Sequence, residues 1–402
     1  MKPEVDKGMN IDTATTDKGF PFWPGARVLL TLIVLFALSV TVHTFFALNY
    51  EIIPFPDDSG RLSSVALEGG FKSYQPPLYI LFLRFIYAVF GSGNMTAVSI
   101  VQGILSALVV FPLFVIGRAL GGKANGLIAA AISSVYTPFI LYNMKTFPDS
   151  PGLLMTAVLF AILVTMPASR KKAVWAAITL SIAALIHPIL LYLAPGILVT
   201  IKKRFTFVVV LILLLLPWAI RNSLVVGKPI PLYRSAGYAL NTDKFYYDET
   251  GWEIVDDLYD GVTRVFTKGW KGDIVGIDQA RQNMRYSAAY SYTAIMLLGM
   301  LGLITRTRRK DLIPVISTAG YILMAILLTE FDLRYRLPLE LLLIPFASLV
   351  LIAWCRGAGE KILILREKPK EELLASMKRI PTILVEYFRS IPDRLKDSPR
   401  DD

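Results

Sequence analysis

Apolar runs long enough to cross a lipid bilayer recur along this chain, and no other feature narrows its fold as much. They fall at roughly 28–48, 95–117, 124–142, 151–167, 173–188, 189–201, 205–220, 286–305, 312–329 and 337–354. Inside hydrocarbon the backbone finds no water to bond, so a spanning segment is a helix or part of a closed barrel, and about twenty apolar residues make a spanning helix. Hydrophobic residues fill 54% of the 402 positions and charged residues 18%, against roughly a quarter charged in soluble domains. The chain therefore reads as an all-α, polytopic membrane protein with about ten transmembrane helices. Its net charge of +11 would suit nucleic acid, but Lys and Arg cluster beside the apolar spans, as cytoplasmic flanks do. The expected partners of that charge are anionic membrane lipids and not nucleic acid.

Cysteine and histidine usage narrows the chemistry. The lone Cys355 leaves no intrachain disulfide, and only His43 and His187 offer imidazole, which argues against a His/Cys zinc site. The polar, mixed-charge stretch 1–27 lacks the basic-then-apolar pattern of a cleaved signal and reads as a cytoplasmic N-terminal tail.

Topology turns on the segment Pro54–Gly91, PFPDDSGRLSSVALEGGFKSYQPPLYILFLRFIYAVFG. Its second half, 77–90, resembles one more span but reaches only about 21 Å against ~30 Å of hydrocarbon, and Arg84 lies near its middle. If 77–90 lies on the outer surface, four basic loops all face the cytoplasm. These hold Arg118/Lys123, Arg170/Lys171/Lys172, Lys202/Lys203/Arg204 and Arg306/Arg308/Arg309/Lys310. Only Lys145, Arg334 and Arg336 then stand in the opposite short loops. If 77–90 spans, that count inverts. The positive-inside rule selects a juxtamembrane helix, with both termini cytoplasmic.

The expected organisation is a tail at 1–27, a transmembrane domain at 28–354 and a basic tail at 355–402. Within the domain, 49–94 is a first external loop with juxtamembrane helices and 221–285 a long external loop. The basic tail suits amphipathic helices on the anionic leaflet, or a loosely ordered segment.

Polar chemistry then gathers on the external side. A loop carboxylate, Asp58 or its neighbour Asp57, suits a general base that takes a proton from an acceptor hydroxyl; Asp58 or Ser59 would equally cap a helix over 60–68. Asp149, in KTFPDSPGLL, would orient acceptor or base, although Ser150 and Pro151 also read as an N-cap and N1 pair. Arg221, Arg334 and Arg336 sit where spans meet the external surface, placed to fork onto a lipid phosphate or to snorkel at helix ends. Tyr79, Lys145, Tyr246, Tyr247 and His187 are further candidates for contact with acceptor or sugar, since aromatic faces stack on C–H groups. The long loop reads either as a ligand-contacting segment or as a solvated one.

Several of these segments together resemble the GT-C glycosyltransferases. Asp58 with Ala66, Gly69/Gly70 and the PPLY of Pro76–Tyr79 is similar to their first external loop. The likeness runs on through Val101–Ser150, PWAIRN at Pro217–Asn222 and RYRLPLELLLIPFASL at Arg334–Leu349. Protein O-mannosyltransferases and lipid A aminoarabinose transferases (family 39-like) belong to this superfamily. The resemblance implies a polyprenyl- or dolichyl-phosphate sugar donor, Asp58 as catalytic base, Asp149 as second acidic residue, and Arg334 or Arg336 on phosphate. Where relatives often carry Arg-Pro this chain has His187-Pro188, and it ends soon after its last span, which favours a glycan or lipid acceptor.

The expected function is thus an inverting glycosyltransferase at the external face of the cell (inner or plasma) membrane. A protein O-glycosyltransferase and a lipid-linked-sugar flippase are the alternatives. No metal is required, since a lipid phosphate is already a good leaving group; Asp57, Asp58 and Asp149 are nonetheless an oxygen-only set that suits a divalent cation.

Overall fold

A computed structural model describes residues 25–49, 59–67, 77–144, 146–226, 279–305, 312–328 and 333–366. Every regular element among them is helical. They run α1 (Ala26–Asn49), α2 (Ser59–Leu67), α3 (Pro77–Phe90), α4 (Met95–Ala107), α5 (Val110–Ser134), α6 (Thr137–Asn143), α7 (Asp149–Thr165) and α8 (Arg170–Ile186). A 3-10 turn (Pro188–Leu193) leads into α9 (Ala194–Thr200) and α10 (Arg204–Val226). Beyond residue 278 come α11 (Gln279–Thr305), α12 (Leu312–Leu328), a second 3-10 turn (Leu333–Arg336) and α13 (Leu337–Arg366). The stretches Ala26–Asn49, Met95–Ser134, Arg204–Val225, Tyr286–Ile304 and Leu337–Gly357 are long and apolar enough to cross a membrane. The chain is a multi-pass membrane protein.

The turn expected at Arg118–Lys123 is present inside α5. Gly121 and Gly122 leave helical geometry, and Gly122 takes φ +80°, a conformation glycine adopts without steric cost. The arms 110–120 and 123–134 fold back on each other. A Cβ on Gly117 would come within 2.9 Å of the Asn125 carbonyl, and one on Gly126 within 2.6 Å of the Phe114 carbonyl. Asn125 pins this hairpin to α13, its side-chain amide donating to Gly117 O at 2.8 Å and Pro345 O at 3.2 Å while Ser348 Oγ bonds its Oδ1.

The span expected at 124–142 is broken at Val135–Tyr136, where the backbone becomes extended and α6 starts afresh with Pro138 in its first turn. A proline lacks the amide hydrogen that a helix interior needs and fits the first turn, where that hydrogen has no partner. The span expected at 189–201 is likewise a 3-10 turn leading into a short α-helix. At the other end α13 runs on past Trp354 to Arg366, and the rest of the basic tail lies outside the described residues.

The segment 77–90 is a single helix, α3, with the bounds expected for a juxtamembrane helix. Both its ends reach α4: Tyr79 OH donates to Gln102 Oε1 in its middle at 2.7 Å, and Tyr87 OH contacts Met95 Sδ at its start at 3.6 Å. Arg84 has a local role. Its guanidinium donates to the carbonyls of Ala66 (3.3 Å) and Val65 (3.4 Å), capping the C-terminus of α2, and Ser63 Oγ bonds Tyr87 OH at 2.8 Å. The helix that follows the acidic pair is therefore fastened onto α3.

Between lipid-facing helices there is no hydrophobic drive to associate, so close backbone approach at small residues holds the bundle together. Gly299 and Gly302 of α11 lie against Leu343 and Phe346 of α13, and Gly196 of α9 against Ser317 of α12. A Cβ on Gly302 would enter the Phe346 carbonyl. Gly302→Leu is expected to destabilise the detergent-solubilised protein by about 1–3 kcal/mol through overpacking, read as a fall in unfolding temperature. An unchanged transition would show that this seam yields freely.

Candidate active site

Asp149 is the first residue of α7, directly after Pro148, and is 4% exposed. A carboxylate there lies at the positive end of the helix dipole. Its Oδ1 lies 3.5 Å from His187 Nε2. His187 ends α8 in an extended conformation, as the residue before a proline must, and Pro188 opens the next turn. Gly152, one turn into α7, lets this junction approach: a Cβ there would meet Leu190 Cδ1 at 3.1 Å and His187 Cβ at 3.5 Å. The expectation that Ser150 caps α7 is corrected. The helix begins two residues earlier, with Pro148 at the N-cap and no side-chain cap, and Ser150 Oγ donates to Asn143 Oδ1 at 2.9 Å.

Asp149 and His187 line a small, partly open cleft between α7, the first 3-10 turn, α12 and α13. Leu153, Thr156, Tyr321, Leu337 and Pro338 complete much of its wall. One carboxylate and one imidazole thus stand together beside largely apolar walls.

The RYRLP segment closes the other side. The Tyr335 ring lies 6.5 Å from that of His187, but Arg336 turns away into the helix interface. It is fully buried, its Nε 2.9 Å from Glu340 Oε1 and its guanidinium 3.7 Å above the Tyr292 ring. Tyr136 OH donates to Glu340 Oε2 at 3.0 Å. The expected position of Arg336 at the external surface is thus corrected: its charge is balanced by a carboxylate one helical turn on, inside a cage of tyrosines.

The other candidates divide sharply. Tyr79 is buried, and its hydroxyl is committed to Gln102, so it does not face a ligand in this conformation. Burial, together with the negative charge of Asp149, raises the Tyr79 phenol well above its ordinary range, which keeps it a proton donor. Arg221 is half-buried, donates to Asn222 Oδ1 at 2.9 Å and lies 4.8 Å from the Trp218 ring. Arg334 belongs to the 3-10 turn that ends at Arg336. Asp57, Asp58, Lys145, Tyr246 and Tyr247 lie outside the described residues. Among the described residues, no three His, Cys, Asp or Glu side chains converge as a metal ion requires. Two of the three carboxylates expected to suit a cation fall outside them.

Two residues escaped the sequence reading. Glu340 was legible as a lone carboxylate in a leucine-rich run, one turn after Arg336, the spacing of an intrahelical ion pair. Asn143 carried no such signal, because its partners come from distant helices.

Residues 74–221 match the family described as dolichyl-phosphate-mannose-protein mannosyltransferase. No curated protein matches the chain in sequence. In structure it is similar to ArnT from Cupriavidus metallidurans bound to undecaprenyl phosphate, with TM-score 0.53 and 13% identity over 90% of this chain and 73% of that one. The same protein in the apo state gives TM-score 0.52 and 14% identity over 91% and 74%. The Archaeoglobus fulgidus oligosaccharyltransferase tethered to an acceptor peptide gives 0.50 and 14% over 94% of this chain and 56% of that one. The chain thus shares the membrane fold of these proteins over most of its length, and the segment 74–221 within it matches the mannosyltransferase family.

Proposed function

We propose that this protein transfers a sugar from a polyprenyl- or dolichyl-phosphate donor to a hydroxyl acceptor, with inversion at the anomeric carbon. The observation that carries the reading is the buried Asp149, 3.5 Å from the half-buried His187 at a cleft with largely apolar walls, within a fold similar to that of ArnT bound to undecaprenyl phosphate. In this mechanism Asp58 accepts the proton of the acceptor hydroxyl as its oxygen attacks the anomeric carbon. The bond from that carbon to the phosphate oxygen breaks, its electron pair leaving with the lipid phosphate. Arg334 and Arg221 meet that developing charge. Arg336, bound to Glu340, holds the segment that carries Arg334. Asp149 orients the acceptor side.

The acceptor in this reading is a glycan or lipid, and the reaction takes place at the external face of the cell membrane, a side supported by the basic-loop asymmetry. The match to a protein mannosyltransferase family supports a second reading, in which the acceptor is a protein hydroxyl.

The test is the purified protein in nanodiscs with a panel of polyprenyl-phosphate sugars and with glycan, lipid and peptide acceptors. Release of polyprenyl phosphate with an inverted glycosidic product is expected. Asp149→Asn is expected to lower turnover by about 10²-fold while the protein keeps its unfolding temperature. Labelled lipid crossing the bilayer with no glycosidic bond formed would overturn the transferase reading.

A further inference from the structure

We infer that Asn143 is a positioning residue for Asp149, held by a polar network from four other helices; this rests on the transferase reading above. Asn143 is the last residue of α6, and the turn after it ends at Asp149. Three of its polar atoms are engaged from three sides. Its side-chain Nδ2 bonds His43 Nδ1 of α1 at 3.0 Å, and its Oδ1 accepts the Ser150 hydroxyl of α7 at 2.9 Å. Its backbone carbonyl accepts from Gln102 Nε2 of α4 at 3.3 Å, and Gln102 in turn accepts from Tyr79 of α3 at 2.7 Å. Because an amide nitrogen only donates, His43 Nδ1 is the acceptor and its proton sits on Nε2.

The packing is built around this hub. Asn143, His43, Gln102, Ser150 and Tyr79 are each no more than 2% exposed. Gly103 opens the space: a Cβ there would lie 2.9 Å from both Asn143 Nδ2 and His43 Cβ. Polar groups buried in a membrane bundle are costly unless fully paired, and apolar residues of like volume would pack more simply. The Ser150–Asn143 bond ties the two ends of the turn together, immediately beside the Asp149 carboxylate. Through Gln102 and Tyr79 the hub also reaches the juxtamembrane helix of the first external loop. Asn143 thereby fixes the direction in which Asp149 meets His187 and the cleft, and a displacement of about 1 Å at such a group costs on the order of 10²-fold in rate.

The experiment compares Asn143→Leu, Ser150→Ala, their double variant and Ser150→Thr in nanodiscs, with unfolding temperature measured in parallel. Asn143→Leu and Ser150→Ala are each expected to lower kcat at least about tenfold and to leave the donor KM within about twofold. The double variant should be no worse than Asn143→Leu, because both remove the same bond. Ser150→Thr, which keeps the hydroxyl, should regain most of the rate. If Asn143→Leu does not fold, the Ser150 pair decides. Wild-type kcat in Ser150→Ala, with only a lower unfolding temperature, overturns the inference alone. A folded wild type inactive with every donor overturns the transferase reading and this inference with it.

Discussion

Asp58→Asn is expected to lower turnover by about 10²–10⁴-fold, the range for loss of a general base, with little change in unfolding temperature. An acceptor hydroxyl is a poor nucleophile while it keeps its proton, and a neutral amide cannot take that proton away. The neighbour separates chemistry from simple loss of charge: Asp57→Asn is expected to stay within about tenfold of wild type. The measurement is polyprenyl phosphate released per folded protein in nanodiscs, with size-exclusion behaviour and unfolding temperature matched across variants. Wild-type turnover in Asp58→Asn would remove Asp58 from the mechanism. The reverse ranking would transfer its role to Asp57.

The second large effect lies in the Arg336–Glu340 pair. Both side chains are fully buried, 2.9 Å apart between Nε and Oε1, with Tyr136 on the second carboxylate oxygen and Tyr292 beneath the guanidinium. Arg336→Met leaves Glu340 buried without its counter-charge and is expected to cost about 3–5 kcal/mol. The double variant Arg336→Met/Glu340→Leu should recover most of that loss, because replacing a whole buried pair by apolar groups is often close to neutral. Thermal unfolding of the solubilised protein measures both. Turnover of the double variant then asks a separate question. If Arg336 anchors the RYRLP segment, the donor KM of the folded double variant stays near wild type; if it grips phosphate, the KM rises sharply.

Much of this architecture was legible before any coordinates. The period and length of the apolar runs required helices, because hydrocarbon offers the backbone no other partner. The asymmetry of Lys and Arg between alternate loops, with the shortness of 77–90, indicated a juxtamembrane helix, and α3 has those bounds. The basic loop expected at Arg118/Lys123 is a reversal in the chain, with Gly122 at the positive φ that glycine adopts without steric cost.

Pairings across helices were not legible. Arg84 looked like a charge stranded in a doubtful span, yet it caps α2. Arg336 was expected where a span meets the surface, yet at the end of its 3-10 turn it is buried against Glu340 of α13. Asp149 and His187 sit on different helices and meet because α7 and α8 pack as an antiparallel pair, and Asn143 acquires its role only where α1, α4 and α7 converge. Composition, period and charge bias act locally or along the membrane normal, so a single strand of residues displays them. Which side chains face each other depends on how helices rotate and cross, and that is set by packing among distant small residues such as Gly103, Gly152 and Gly302.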